Sequence, residues 1–119
     1  MSDITRVALD AMGGDHAPAE MVKGAIEAVN KRDDIKILLT GQEALLKKAL
    51  SEYTYPKDRI EIIPASEVIE TAEPPVMAIR RKKDSSIVVA MNLVKKGEAD
   101  AFVSAGSSGA ILVGGQVIV

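Results

Sequence analysis

Val7-Ala8-Leu9-Asp10-Ala11-Met12-Gly13-Gly14-Asp15-His16-Ala17-Pro18 runs from three apolar residues through a double glycine to a proline. The apolar triplet reads as a first strand, the glycines end it, and the proline suits the first turn of a following helix. Met21, Val22, Ala25, Ile26 and Val29 then share one face at helical spacing, and Glu20 favours the N-terminal dipole, so a helix is expected from about Pro18 to Lys31. Strand, glycine turn and helix together form the opening half of a βαβ unit.

The same alternation continues along the chain. Ile35, Ile37, Leu38 and Leu39 give a second strand closed by Gly41, and Leu45, Leu46, Ala49 and Leu50 give a second amphipathic helix. Ile60, Ile62 and Ile63 form a third strand bounded by Pro64, in which Glu61 marks a wet face. Glu73-Pro74-Pro75 can open a helix through Val76, Met77 and Ile79, with Arg80-Arg81-Lys82-Lys83 either continuing it or forming an exposed break. Residues 85–96 read as a helix with a serine start and a Lys95-Lys96-Gly97 stop, and Ala101-Phe102-Val103 as a short buried strand. Four strands separated by helices predict right-handed crossovers and a mainly parallel sheet covered on both faces, a three-layer α/β/α sandwich.

Composition narrows the function. The chain has 119 residues, 47% of them hydrophobic, which is enough for one core and argues against disorder. Fifteen basic residues against seventeen acidic ones leave a net charge of −2, and only three residues are aromatic, so a nucleic-acid partner is disfavoured. Without cysteine there is no disulfide framework, thiolate zinc site or cysteine nucleophile, and the single His16 excludes any site built on two imidazoles. Glu67, Glu70 and Glu73 read as a solvated loop and not an oxygen cage, so no metal is expected. The N-terminus lacks the cations of a secretory signal, and the apolar segment Ala110 to Val119 is broken by Gly114 and Gly115 and falls short of the ~18 residues of a membrane span. A cytoplasmic compartment is expected. The chain ends at Val117-Ile118-Val119 with no helix-closing residue, so residues 1–119 read as the N-terminal part of a single larger α/β catalytic domain, cut short at its C-terminus.

A parallel sheet delivers the C-terminal ends of its strands to one edge, so the loops after the first and fourth strands are expected to meet there. In the first loop, Gly13 and Gly14 permit a tight turn lined by bare amides, with Asp10, Asp15 and His16 beside it as hydrogen-bonding or proton-transfer groups. Read more plainly, the glycines only turn the chain, Asp15 favours a helix start and His16 is solvated. The second loop, Ser104-Ala105-Gly106-Ser107-Ser108-Gly109, offers small residues and hydroxyls at a helix start, either as an anion cradle or as a capped, closely packed helix. It is neither a Walker A loop nor a dinucleotide fingerprint. The run Arg80-Arg81-Lys82-Lys83 can hold phosphate or attract an acidic or anionic partner, or it can be a solvated helix end; at most two of the four can face one pocket.

The nonapeptide Asp10 to Pro18, the segment Glu73-Pro74-Pro75-Val76 leading to Arg80-Arg81-Lys82-Lys83, and Ser104-Ala105-Gly106-Ser107-Ser108-Gly109-Ala110, in that order, resemble the successive signatures of bacterial phosphate acyltransferase. The resemblance covers essentially the whole chain. It differs at Ser107-Ser108, where that family usually carries Asn-Thr, and at Pro74-Pro75, where one proline is usual.

What the resemblance implies is acyl transfer from acyl-acyl carrier protein to inorganic phosphate, forming acyl phosphate for phospholipid synthesis. It also implies a sandwich similar to isocitrate and isopropylmalate dehydrogenases, no cofactor, a homodimer, and peripheral association with the inner face of the cell membrane. On that basis Gly13, Gly14, Ser104, Gly106, Ser107, Ser108 and Gly109 are expected to bind phosphate, Arg80 or Arg81 to stabilise charge, and Asp10, Asp15 or His16 to orient the nucleophile or accept its proton. The rival readings are acyl exchange between coenzyme A and phosphate, as in phosphotransacetylase, and a non-catalytic phosphate- or nucleotide-binding module.

Overall fold

The computed structural model describes residues 4–13, 17–68 and 75–104. The described elements are β1 (Thr5–Asp10), α1 (Ala19–Lys31), β2 (Ile35–Gly41), α2 (Glu43–Leu50), β3 (Ile60–Pro64), α3 (Pro75–Arg81), α4 (Ser86–Lys95) and β4 (Ala101–Val103), with a 3₁₀ turn at Lys57–Arg59. The four strands form one sheet in the order β3-β2-β1-β4, and every pairing is parallel.

Period-two alternation in the strands sends neighbouring residues to opposite faces, and two cores result. Leu9, Ile37, Leu39 and Ile60 pack with Val22, Ala25, Ile26 and Val29 of α1 and with Leu46 and Leu50 of α2. On the other face Ala8 and Leu38 pack with Ala90 and Leu93 of α4. The expected α/β/α layering is therefore present, with α1 and α2 on one side and α4 on the other.

This division follows from crossover handedness. The chain steps from β1 to β2 to β3 in one direction and then returns past both to add β4 beside β1; right-handed connections must therefore put the returning helix on the opposite face. The strand order reverses between β1 and β4, and their C-terminal ends flank the resulting crevice.

Helix boundaries have local causes. The Ser85 side chain accepts the Val88 N–H and caps α4. At its other end Gly97 takes φ +78°, and the N–H groups of Gly97 and Glu98 reach the carbonyls of Val94 and Leu93, a Schellman closure that turns the chain towards β4. Pro18 stands at the cap of α1, one residue outside the helix, a small departure from the expected start. Arg80 and Arg81 continue α3, and Lys82 and Lys83 lie beyond it.

The expectation of a buried fourth strand is not met. Ala101 and Val103 are exposed, Val103 at 48%, because β4 is an edge strand and no described element packs over that side of it. Glu61 has the wet environment expected of it, exposed and paired with Lys36 at 3.2 Å.

Leu39 has no exposed surface and Leu45 is 44% exposed, so the pair separates core from surface. In the full-length protein, Leu39→Ala is expected to lower stability by about 2–5 kcal/mol. Leu45→Ala is expected to stay within about 0.5 kcal/mol, with denaturant unfolding as the measurement for both.

Candidate functional site

The C-terminal edge of the sheet is organised by polar side chains that follow apolar strand residues. Asp10, the last residue of β1, has no exposed surface. Its Oδ2 accepts the Ser104 hydroxyl at 2.7 Å and its Oδ1 accepts the Met12 N–H at 3.1 Å. Buried carboxylates require such donors, because desolvation without them costs several kcal/mol. Ser104 immediately follows β4, so this contact joins the exits of two strands that are 94 residues apart in sequence.

Beside this pair, Thr40 of β2 is also fully buried, and its hydroxyl donates to the Ser86 carbonyl at 2.8 Å. Thr40 stands opposite Asp10 in the ladder, so the first turn of α4 is fixed at the level of the carboxylate. Ser86 Oγ is buried and has no hydrogen-bond partner among the described residues. Gly41 provides the next constraint: a Cβ there would stand 2.8 Å from Met12 Cγ and 3.2 Å from Leu46 Cδ1. Bare backbone at Gly41 is what lets Met12 seat the turn after β1.

The β3 end of the edge has a different electrostatic character. A cavity of about 380 Å³ is lined by Gln42, Glu43, Ala44, Pro64, Ala65, Ser66 and Asp84. Asp84 Oδ2 accepts both the Ser66 N–H at 2.9 Å and the Ser66 hydroxyl at 2.6 Å, and these bonds hold the carboxyl below its ordinary range. Two carboxylates in this lining disfavour an anion. The apolar cavity of about 340 Å³ between α1 and β4, lined by Leu9, Met21, Ala25 and Val103 among others, lacks the donors that would orient one.

Of the expected site residues, the structure brings Asp10 and Ser104 into contact, and buried Gly13 follows the Met12 turn. Arg80 and Arg81 are exposed at the end of α3 and, among the described residues, are not hydrogen-bonded or ion-paired to Asp10 or Ser104. Gly14, Asp15, His16, Gly106, Ser107, Ser108 and Gly109 lie outside the described residues. No group of three metal-ligating side chains is found among the described residues, and no described helix is long and apolar enough to cross a membrane. The sequence reading overlooked Thr40 and Ser86, and gave Gly41 only the role of closing β2. The signal for Thr40 was present: it is a polar residue directly after the apolar run Ile37-Leu38-Leu39, at the C-terminal end of the strand.

The described edge thus holds β1, the turn at Met12 and, returned beside them, Ser104 at the exit of β4. The family model described as "Fatty acid synthesis protein" matches residues 5–119. The chain belongs to this fatty acid synthesis protein family. It is 55% identical over 113 residues to the phosphate acyltransferase of Alkaliphilus oremlandii, covering 95% of this chain and 33% of that protein. It is also 51% identical over 110 residues to the phosphate acyltransferase of Halothermothrix orenii, covering 92% and 33%, and 51% identical over 114 residues to that of Clostridium beijerinckii, covering 96% and 34%. The chain thus spans about a third of the length of these curated relatives, which makes the β1–β4 edge one part of the family's longer protein.

The Asp84 shift has a defined sign. Its folded pKa is depressed, so the associated stabilisation is complete above the ordinary carboxylate value of about 3.9 and is lost as pH falls through the lower folded value. Ser66→Ala removes the hydroxyl donor and is expected to raise the Asp84 pKa towards the ordinary value. Carboxyl-carbon NMR titration of the wild-type and variant proteins measures the change.

Proposed function

We propose that the full-length protein transfers an acyl group from acyl-acyl carrier protein to inorganic phosphate, and that phosphate lies between the turn after β1 and the segment after β4. The observation that carries this reading is the Ser104–Asp10 hydrogen bond across the β1–β4 crevice, which joins the end of β1 to the exit of β4. The names of the relatives support acyl transfer to phosphate.

The chemistry asks for donors more than for bases. An oxygen of monohydrogen phosphate attacks the thioester carbonyl carbon, a carbon–oxygen bond forms, and charge collects on the carbonyl oxygen. The charge returns as the carbon–sulfur bond breaks; the departing thiolate takes the phosphate proton and leaves as the free carrier thiol. Backbone amides at Gly13, Gly14, Gly106 and Gly109 and the hydroxyls of Ser107 and Ser108 are assigned to hold phosphate while leaving one oxygen able to attack. Asp15 or His16 is assigned to orient the nucleophile or manage its proton, and Arg80 or Arg81 to stabilise charge. The exposed cations at the end of α3 also suit an acidic carrier. In the same proposal the enzyme is a cytoplasmic homodimer that works at the inner face of the cell membrane.

Incubation of the full-length protein with phosphate and either acyl-acyl carrier protein or acyl-coenzyme A is expected to give acyl phosphate from the carrier-protein thioester. Preference for coenzyme A would replace the donor, and phosphate binding with no acyl phosphate from either would reduce the protein to a binding module. Ser107→Ala combined with Ser108→Ala is expected to weaken phosphate more than about tenfold, through hydrogen bonds to a charged group, while carrier binding is retained. Unchanged phosphate kinetics would return that loop to a packing role.

A further inference from the structure

We propose that Asp10 is a positioning residue and not the general base: acting through Ser104, it holds the exit of β4 against the turn after β1 in the register that phosphate requires. The proposal rests on the phosphate placement given above.

Three observations converge on it. First, among the described residues β4 pairs with the sheet through three residues, Ala101–Val103, of which Phe102 alone packs on the core, so ladder and packing specify its register weakly. Its register depends on its ends. At the entry, Asp100 N–H donates to the Arg6 carbonyl at 2.7 Å, Arg6 N–H donates to Asp100 Oδ2 at 2.8 Å, and the two side chains form an ion pair. At the exit the Ser104 hydroxyl ties the chain to Asp10 of β1.

Second, the two oxygens of Asp10 are divided between the two segments: Oδ2 takes the Ser104 hydroxyl and Oδ1 takes the Met12 N–H. One buried group therefore sets the turn after β1 and the segment after β4 relative to each other. Third, Asp10 is fully enclosed, whereas a general base has to come within about 2.6–3.2 Å of the proton it removes. Ser104, partly exposed, stands on the side of the carboxylate that faces the β4 exit.

The test uses the full-length protein with Asp10→Asn, Ser104→Ala, Ser104→Thr, the double variant Asp10→Asn/Ser104→Ala, and Arg6→Ala as a control at the opposite end of β4. Phosphate affinity is read by calorimetry, and kcat, KM and the pH profile by acyl phosphate formation. Asp10→Asn and Ser104→Ala are each expected to weaken phosphate by about ten- to a hundredfold, the range for a charge-assisted hydrogen bond, and the double variant to be no weaker than the worse single one. Ser104→Thr restores affinity, the acid limb of kcat/KM in Asp10→Asn coincides with wild type, and Arg6→Ala lowers the unfolding midpoint without changing phosphate affinity.

Loss of the acid limb in Asp10→Asn alone would make Asp10 the base and overturn the proposal. Additive losses in the double variant, unchanged affinity in both single variants, or an equal loss in Arg6→Ala would overturn it as well. Wild-type protein that binds phosphate but forms no acyl phosphate would sink the catalytic reading alone, since the calorimetric cycle still decides the clasp; wild-type protein that binds no phosphate would overturn both.

Discussion

The parallel pairing of β1 with β4 is the constraint on which the site depends. It places Leu9 opposite Val103 and so brings Asp10 and Ser104 out of the sheet together. Backbone pairing over three residues is a weak specification, because a one-residue slip would exchange the two faces of β4. The polar contacts at its ends remove that ambiguity: with the ladder displaced, Arg6 would lose Asp100 at one end and Asp10 would lose Ser104 at the other. A buried charge that destabilises in isolation thus acts as a register mark when both of its partners lie on the chain segments it must align.

The rest of the sheet edge repeats this device with different chemistry. Thr40 ties the exit of β2 to the first turn of α4, and Ser66 ties the exit of β3 to Asp84 just before it. In each case a polar group at or just past the end of a strand meets an element from far along the chain. The core supplies the driving force, since Leu39, Val22 and Leu46 are all fully buried, but it is tolerant of small shifts; directional bonds at the edge are not. Stability and site geometry are thereby assigned to different residues. Ser86 departs from this pattern, since its buried hydroxyl carries a desolvation cost of about 1–3 kcal/mol with no bond among the described residues to offset it.

Much of the fold was legible because it rests on periodicity. The spacing of Val22, Ala25, Ile26 and Val29 gives the buried face of α1 directly, and the Ile35–Leu39 run gives the central strand. The end of α4 was equally readable, since Lys95-Lys96-Gly97 places a glycine where φ must be positive. Burial of β4 was misjudged for a physical reason: Ala101-Phe102-Val103 has the composition of an interior strand, yet exposure is set by what packs against it, which three residues do not encode. The site divides along the same line. Asp10 and Ser104 could be placed at one edge from topology alone, whereas their direct bond, and the space left for Met12 by Gly41, depend on side-chain geometry that no spacing rule contains.

The two ends of the sheet edge differ in the charge they would present to an anion. At the β3 side, Glu43 and Asp84 line the cavity, and Asp84 is held ionised by Ser66, so phosphate there would meet like charge. At the β1–β4 side the one described carboxylate is Asp10, and its two oxygens are covered by donors from Ser104 and Met12. The hydroxyl and N–H dipoles that point at those oxygens oppose the carboxyl's own field at the exits of the strands. The same burial that makes Asp10 costly thus withdraws its carboxyl from solvent, while its two bonds hold Ser104 and the turn at Met12 against each other.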